Sequence, residues 1–264
     1  MQAKNFSLTD YLHRIGCADR PRADPEGLTS LMQQQLYTVP FENLDVQAGK
    51  GVSLVPEDIV EKIVHQGRGG YCYEVNGLFS MALEALGLSY HWVAARPMFY
   101  PVRRPRTHMA VVVDLPEGPW LCDLGFGSYG IRVPLSLAVL DTNIAQGHDT
   151  FKLSRQPNGD YLLQALVSEV WTNQYAFDLA PQEWVDFEPM NYLNSTHPEA
   201  VFVKSLLVIG HHPRGRNILF GRSLKTVEDG QTQQRDIPPH EIDGVLKDLF
   251  RLPPLTHTVA NALR

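Results

Sequence analysis

The stretch that decides the fold is residues 68–79, which read Arg68-Gly69-Gly70-Tyr71-Cys72-Tyr73-Glu74-Val75-Asn76-Gly77-Leu78-Phe79. Its double glycine predicts a tight turn, and the apolar spacing after it predicts an amphipathic helix from about Cys72 to Leu86, ended by Gly87. The first turn of a helix has unpaired N–H groups and a partial positive charge. This charge favours the thiolate form of a cysteine placed there, and the thiolate is the nucleophile. The unpaired N–H groups could also bind the oxyanion of an acyl-transfer intermediate. The alternative is a buried structural cysteine, since free cysteine is among the most buried residue types.

A base and an acid that could serve this cysteine follow on two short strand-like runs. His108 lies near the start of the β-branched run 107–113, and Asp123 ends the apolar run 120–123. Proline and glycine between the runs predict a hairpin-like connection, which would bring both residues to the same end of the strand pair. The carboxylate could then accept a hydrogen bond from one imidazole nitrogen while the other faces Cys72. Each residue alone could be structural, but together they predict a Cys-His-Asp triad.

The chain resembles the arylamine N-acetyltransferases, and the resemblance rests on five blocks of sequence. These blocks are residues 68–76, Thr107-His108, Cys122-Asp123-Leu124-Gly125-Phe126-Gly127, Val39-Pro40-Phe41-Glu42-Asn43-Leu44-Asp45, and Asn194-Ser195-Thr196-His197-Pro198 with Phe202. They span roughly residues 5–250 in the family's order. The resemblance implies an acetyl-CoA donor and small arylamine, arylhydrazine or arylhydroxylamine acceptors, joined by a ping-pong reaction through an acetyl-cysteine. It also implies a cysteine-protease-like core.

The resemblance further implies roles around the triad. Phe41, Phe126 and Phe202 resemble the aromatic wall of the arylamine pocket, although core packing would explain an isolated phenylalanine. Gly125 and Gly127 would allow CoA to approach the backbone closely. Thr107 could donate a hydrogen bond to CoA, but its β-propensity explains it equally well. Arg68 and Glu42 would pair near the site, the alternative being two solvated charges.

Composition limits the class of protein. The 264 residues are 44% hydrophobic and carry a formal net charge of −6, which argues against a nucleic-acid partner. The start lacks the apolar core of a signal peptide, and no apolar run reaches the ~20 residues that span a bilayer. Three irregularly spaced cysteines do not predict a disulfide framework, so we expect a soluble, cytoplasmic protein in which Cys17 and Cys122 are structural.

The pattern along the chain predicts an α+β fold in three domains. Residues 1–87 predict a helical bundle that carries the cysteine, residues 88–180 a β-barrel-like domain that carries the histidine and aspartate, and residues 181–264 an α/β lid. The predicted strands are 90–99, 107–113, 120–123, 150–153, 161–167, 201–209, 218–220 and 224–227, with helices at 181–193 and after Pro238-Pro239. The short tail after Leu252 predicts that no C-terminal segment plugs the cleft.

Segment 211–216, His211-His212-Pro213-Arg214-Gly215-Arg216, is interpreted as the densest basic patch. It could bind the CoA phosphates, but a solvated surface loop is the favoured interpretation. Adjacent histidines on a strand point to opposite faces and no further ligand stands near them, so we predict no metal site.

Two other functions share the triad chemistry. One is an amide synthase that closes a macrolactam on a thioester-bound polyketide, and the other is a cysteine hydrolase or transglutaminase-like enzyme. The acyl donor and the fate of the acyl group distinguish them from acetyl transfer. The sequence leaves the preferred acceptor, the choice among acetyl, propionyl and malonyl donors, and the oligomeric state open.

Overall fold

The structure is a computed structural model that describes residues 1–127 and 129–253. Its α-helices are α1 (Leu8–Arg14), α2 (Pro25–Thr38), α3 (Leu44–Gln47), α4 (Pro56–Val60), α5 (Cys72–Leu86), α6 (Glu188–Thr196), α7 (Val201–Lys204) and α8 (Ile242–Phe250). A π-helical turn (Glu61–His65) extends α4, and 3₁₀ turns (Trp184–Phe187 and Pro239–Glu241) precede α6 and α8. Five of the helices precede Gly87, so the predicted helical character of residues 1–87 is confirmed.

The N-terminal helices begin and end at the residues that local chemistry favours. The Ser7 hydroxyl accepts a hydrogen bond from the Asp10 N–H (3.3 Å) at the start of α1. Asp24 caps α2 by accepting from the Gly27 N–H (2.8 Å), with Pro25 in the first turn. Helix α5 ends at Gly87, whose φ of 77° is the left-handed conformation that glycine adopts without strain.

The strands form two antiparallel sheets. They are β1 (Phe41–Glu42), β2 (Ser89–Pro97), β3 (His108–Leu115), β4 (Gly118–Cys122), β5 (Leu135–Ser136), β6 (Ile144–Gln146), β7 (Asp149–Arg155), β8 (Tyr161–Val167), β9 (Val170–Phe177), β10 (Leu207–His212), β11 (Gly215–Phe220), β12 (Ser223–Glu228) and β13 (Gln231–Asp236). The fold is therefore α+β, as predicted. The cysteine-protease-like core and the three-domain division stay predictions.

The larger sheet has the strand order β5-β4-β3-β2-β9-β8-β7-β6. It is curled and open, a half-barrel whose end strands β5 and β6 do not pair with each other in the described residues. Helix α5 packs on this sheet, and its side chains Val75, Leu78 and Phe79 belong to the same buried core as the strands. Strand β9 was not predicted, because Thr172, Asn173 and Gln174 make its centre polar although it pairs with both β2 and β8.

The smaller sheet has the order β1-β10-β11-β12-β13 and joins distant parts of the chain. Strand β1 comes from the N-terminal region and pairs with β10, with Phe41 opposite Ile209 and Glu42 opposite Val208. The segment that precedes the cysteine turn is therefore an edge strand of the C-terminal sheet. This contact brings Phe41 to the same side of the molecule as Phe202.

The predicted strand 201–209 is wrong in its first half, because α7 occupies residues Val201–Lys204. The side-chain amide of Asn43 donates to the carbonyls of Phe202 (2.7 Å) and Ser205 (2.8 Å). The Gln47 amide donates to the Phe202 carbonyl as well (2.7 Å). These tertiary hydrogen bonds satisfy carbonyl groups at the end of the helical turn, and they override the β-propensity of its valines.

The interpretation of segment 211–216 as a solvated loop is also wrong, because it forms the β10–β11 hairpin. His211 and Arg216 are buried, and Arg216 donates to the Asp149 carboxylate (2.6 Å), which also binds Arg132. Asp149 thus joins the two sheets through a buried ion cluster, named here the Asp149 cluster, of Asp149, Arg132 and Arg216. Burial and the two guanidinium groups lower the pKa of His211 to about 3, so His211 stays neutral beside them.

Across residues 1–127 and 129–253, no helix is long and apolar enough to cross a bilayer. The same residues contain no group of three or more His, Cys, Asp or Glu side chains that could hold a metal ion. Cys17, Cys72 and Cys122 are all free thiols. The prediction about the tail after Leu252 falls on residues 254–264 and lies outside the described part of the chain.

Candidate active site

Cys72 is the first residue of α5 and is buried, with 3% of its surface exposed. The turn before it is held by Glu74, whose Oε2 accepts the Tyr71 N–H (3.0 Å). Cys72 forms part of the wall of a cavity of about 410 Å³. The sequence prediction of a cysteine at the start of a helix is confirmed, and the helix end faces a cavity large enough for a small aromatic molecule.

His108 and Asp123 lie together at one end of the β3–β4 pair, as predicted. The register places Val111 opposite Cys122, so His108 at the start of β3 comes close to Asp123 just after β4. His108 Nε2 is 2.7 Å from Asp123 Oδ2, and both side chains are buried. Because His108 lines the same cavity as Cys72, its ring joins the buried carboxylate to the cavity.

Asp123 is fixed from a second side. Its Oδ1 accepts hydrogen bonds from the Gly125 N–H (2.9 Å) and the Asn76 side-chain amide (3.2 Å). Asn76 also donates to the Met109 carbonyl (2.8 Å) and accepts from the Leu124 N–H (2.9 Å). One side chain on α5 therefore holds both the strand of His108 and the turn of Asp123. The signal for this role was a polar residue four positions after Cys72, where it falls on the buried face of the helix.

Gly125 allows the Asp123 loop to approach Cys72. A Cβ atom on Gly125 would lie 2.4 Å from the Cys72 Cα, so any side chain there would displace the helix start. The missing side chain of Gly125 thus lets the loop pack on the cysteine backbone, while the close approach of CoA at this glycine stays a prediction. Gly127 has a φ of 109°, which larger residues rarely adopt, and it is not among the residues that line the cavity.

Most of the residues singled out in the sequence line one cavity. They are Phe41, Cys72, Thr107, His108, Gly125, Phe126 and Phe202. Its aromatic walls contact one another, with ring centroids 5.8 Å apart for Phe41 and Phe202 and 5.0 Å apart for His108 and Phe126. Tyr175 was missed because it lies on the unpredicted strand β9. Its ring packs behind His108 (5.1 Å) and Phe126 (4.7 Å).

Arg68 and Glu42 pair as expected, with Arg68 Nη2 2.7 Å from Glu42 Oε1. Lys62, which the sequence did not single out, extends the pair because its Nζ is 2.7 Å from both Glu74 Oε1 and Asp45 Oδ2. Burial lowers the pKa of Lys62, but the surrounding carboxylates outweigh this and raise it, so Lys62 stays charged. This network lies behind the turn of residues 68–71 and anchors the start of α5 rather than lining the cavity.

The buried position of Cys72 opposes its ionisation. Burial raises the pKa of the Cys72 thiol, and the Asp123 charge acts in the same direction. The N–H groups of Met109 and Tyr73 lower it, but by less. Burial therefore opposes the thiolate that the position at the helix start was expected to favour. A thiolate at this position needs a cation beside it.

Comparison with known proteins agrees with this fold and site. A sequence model of the N-acetyltransferase family matches residues 24–257. The arylamine N-acetyltransferase of Escherichia coli is 32% identical over 250 residues, which cover 93% of this chain and 88% of that protein. The arylamine N-acetyltransferase / N-hydroxyarylamine O-acetyltransferase of Salmonella typhimurium is 33% identical, over 79% of this chain and 75% of that one.

The structural comparison gives the same result. The structure of Mycobacterium marinum arylamine N-acetyltransferase in complex with CoA superposes with a TM-score of 0.88 at 30% identity, covering 97% of this chain and 94% of the other. The protein is therefore an acyltransferase. The chain belongs to the arylamine N-acetyltransferase family, which the sequence resemblance had indicated. These relatives give no support to the macrolactam or hydrolase alternatives.

Proposed function

We propose that the protein transfers the acetyl group of acetyl-CoA to the nitrogen of arylamines and arylhydrazines and to the oxygen of arylhydroxylamines. The observation that carries the proposal is that Cys72 and His108 share a cavity while His108 Nε2 is bound to the buried Asp123. The names of the Escherichia coli and Salmonella typhimurium relatives support these acceptors, and the CoA complex of the Mycobacterium marinum enzyme supports the donor.

In the first half-reaction His108 takes the proton of the Cys72 thiol on Nδ1, since Nε2 is engaged by Asp123. The imidazolium supplies the cation that the buried thiolate requires. The sulfur attacks the thioester carbonyl, the new S–C bond forms, and the bond to the CoA sulfur breaks. The proton passes from His108 to the departing CoA thiolate. One thioester replaces another, so the acetyl-cysteine retains the energy of the donor.

In the second half-reaction the acceptor nitrogen attacks the acetyl-cysteine. A C–N bond forms, the S–C bond breaks, and His108 takes the proton that the nitrogen loses. The N–H groups of the first turn of α5 are the candidates for stabilising the oxyanion in both steps. The aromatic walls formed by Phe41, Phe126 and Phe202 suit a flat acceptor ring, and they exclude water that would hydrolyse the acetyl-cysteine.

The direct test is intact-protein mass spectrometry after brief incubation with acetyl-CoA and no acceptor. We expect a single acetyl adduct that maps to the peptide containing Cys72 and disappears when an arylamine is added. Cys72→Ala should give no adduct, whereas Cys122→Ala and Cys17→Ala, which change the other two thiols, should retain it. An adduct that persists in Cys72→Ala, or an acceptor that is acetylated by that variant, would overturn the proposal.

A second prediction follows from the raised pKa of Cys72. A group whose pKa is raised stays protonated as the pH rises through its usual range, so without His108 the thiolate should be scarce at neutral pH. In His108→Asn, alkylation of Cys72 by iodoacetamide at about pH 7 should be about 100-fold slower than in the wild type. The alkylation rate of the variant should still be rising with pH at about pH 10.

The matched control for this prediction is His91→Asn, which changes a half-buried histidine on the neighbouring strand β2. It should leave the alkylation profile unchanged. Rates are read from the Cys72 peptide, so that Cys17 and Cys122 do not contribute. Equal profiles for His108→Asn and the wild type would show that His108 does not ionise Cys72.

A further inference from the structure

The connection between β2 and β3 carries more arginine than segment 211–216. Three arginines, Arg103, Arg104 and Arg106, lie within four residues, and Arg96 lies near the end of β2. Segment 211–216 has only two arginines, so its interpretation as the densest basic patch is wrong. We name the four residues Arg96, Arg103, Arg104 and Arg106 the arginine patch.

The arginine patch lies at the mouth of the candidate active site. Arg104 lines the cavity together with Phe99, Tyr100 and Thr107, and its guanidinium lies over the Tyr100 ring at 4.7 Å. Arg96 donates a hydrogen bond to the Arg104 carbonyl. Arg103 and Arg104 are both exposed. The patch therefore presents cations to solvent beside the opening through which a substrate would reach Cys72.

The loop that carries the patch is held at both ends. The Met98 N–H donates to the Gln174 carbonyl (2.8 Å) at its start. At its end the Thr107 carbonyl accepts from the Tyr73 hydroxyl and the Asn194 amide, both at 2.9 Å. These contacts tie the loop to β9, α5 and α6. The backbone of the arginine loop is thus fixed next to His108. Less conformational entropy of the loop is therefore lost when a ligand binds to the arginines.

The positive charge of the patch is only partly compensated. Arg106 pairs with Asp178 (2.6 Å), but in the described residues Arg96, Arg103 and Arg104 have no carboxylate within ion-pair distance. Burial and then the charges of Arg103 and Arg106 lower the pKa of Arg96, against a smaller rise from Asp160, as is typical where like charges lie close together. An anion bound among them would relieve this repulsion.

Glu199 across the opening offsets this charge only in part, because the pKa of its carboxyl is lowered mainly by Lys204 and only weakly by Arg104. Its carboxylate is 2.5 Å from Lys204 Nζ and is already paired. Segment 211–216 differs from the patch, because Arg216 is buried on Asp149 and Arg214 pairs with Asp229 (2.5 Å). The arginines of that hairpin are therefore already occupied, whereas two exposed arginines of the patch are available to a ligand.

We infer that Arg103 and Arg104, supported by Arg96, bind the phosphate groups of the CoA donor. The inference rests on the proposed function and adds the residues that recognise the donor. Phosphate suits the site because guanidinium groups match its geometry and several cations match its multiple charges. The apolar walls beside Cys72 receive the acyl group and the aromatic acceptor. The phosphates, at the far end of the long pantetheine arm, stay at the exposed mouth.

The test compares two donors with the same acetyl thioester. Acetyl-CoA carries phosphates, and the acetyl thioester of N-acetylcysteamine carries none. For each enzyme the kcat/KM for acetyl-CoA is divided by the kcat/KM for the truncated thioester. In the double variant Arg103→Ala, Arg104→Ala this ratio should fall about 10- to 100-fold, the effect of losing one charge-assisted contact or more. The fall should come mainly from a higher KM for acetyl-CoA.

Two control variants separate the possible results. Arg103→Lys, Arg104→Lys keeps the charge and should retain most of the ratio. Arg214→Ala removes an exposed arginine of segment 211–216 and should leave the ratio at the wild-type value. An unchanged ratio in the double alanine variant, a rise in KM for the acceptor instead of the donor, or a fall confined to Arg214→Ala would each overturn the inference. Absence of acetyl-Cys72 in the wild type with both donors would instead overturn the proposed function.

Discussion

Asp123→Asn is expected to lower the kcat for acetyl transfer by about 10⁴-fold while leaving the protein folded. Asp123 Oδ1 accepts two hydrogen bonds, from the Gly125 N–H and the Asn76 amide. The side-chain oxygen of the new asparagine should face these two donors, because an NH₂ group in that position would meet two other donors and form no hydrogen bond. The NH₂ group must then point to His108, where the carboxylate oxygen Oδ2 now lies 2.7 Å from Nε2.

This orientation would give His108 the wrong tautomer. An NH₂ group donates to Nε2, so the proton of a neutral imidazole must sit on Nδ1. Nδ1 is the nitrogen that we propose takes the proton of Cys72, and a protonated Nδ1 cannot accept it. The variant also loses the negative charge that stabilises the imidazolium. Both effects act on catalysis and require no change in the packing around the site.

The measurement is kcat with acetyl-CoA and an arylamine, together with the rate of Cys72 alkylation at neutral pH. Both should fall, while the circular dichroism spectrum should be unchanged. Asp114→Asn is the matched control, because Asp114 also lies beside a histidine (3.8 Å from His91) but is half exposed. Full activity in Asp123→Asn would show that the carboxylate does not set the tautomer of His108.

The sequence predicted the parts of the site that depend on local structure. The glycine turn and the apolar spacing of residues 72–86 predicted α5 with Cys72 at its first position, and the structure places it there. The short connection between two β runs predicted that His108 and Asp123 would meet. In both cases the determining feature is local, either the turn and spacing of one helix or the short connection between β3 and β4, so a single sequence contains the necessary information.

The parts that could not be predicted depend on contacts between distant segments. Residues 201–204 have β-propensity, yet they form α7 because the Asn43 and Gln47 amides bind its carbonyls. Lys62 shows no catalytic signature in the sequence, and its role appears only where Glu74 and Asp45 converge on it. The same holds for Arg216, which looked solvated beside Arg214 and is instead buried on a carboxylate far away in the chain.

Asp149→Ala is expected to destabilise the fold by about 3–5 kcal/mol, the usual cost of breaking a buried ion pair from one side. The Asp149 carboxylate accepts from Arg132 and Arg216, whose side chains are only 4% and 3% exposed. Among the described residues, removing it leaves two buried guanidinium groups without a counter-ion, and the neutral His211 beside them cannot compensate. Thermal unfolding should shift down by on the order of 10 °C.

The matched control is Asp229→Ala, which removes the carboxylate of the exposed Arg214 pair and should cost at most about 1 kcal/mol. Replacing the whole Asp149 cluster (Arg132→Met, Asp149→Leu, Arg216→Met) should restore much of the stability, since no buried charge is left unpaired. If Asp149→Ala were no more destabilising than Asp229→Ala, the cluster would not join the two sheets. A destabilised triple variant would show instead that hydrogen bonds of the arginines, rather than uncompensated charge, determine the cost. The comparison thus separates the electrostatic contribution of Asp149 from its contribution to packing.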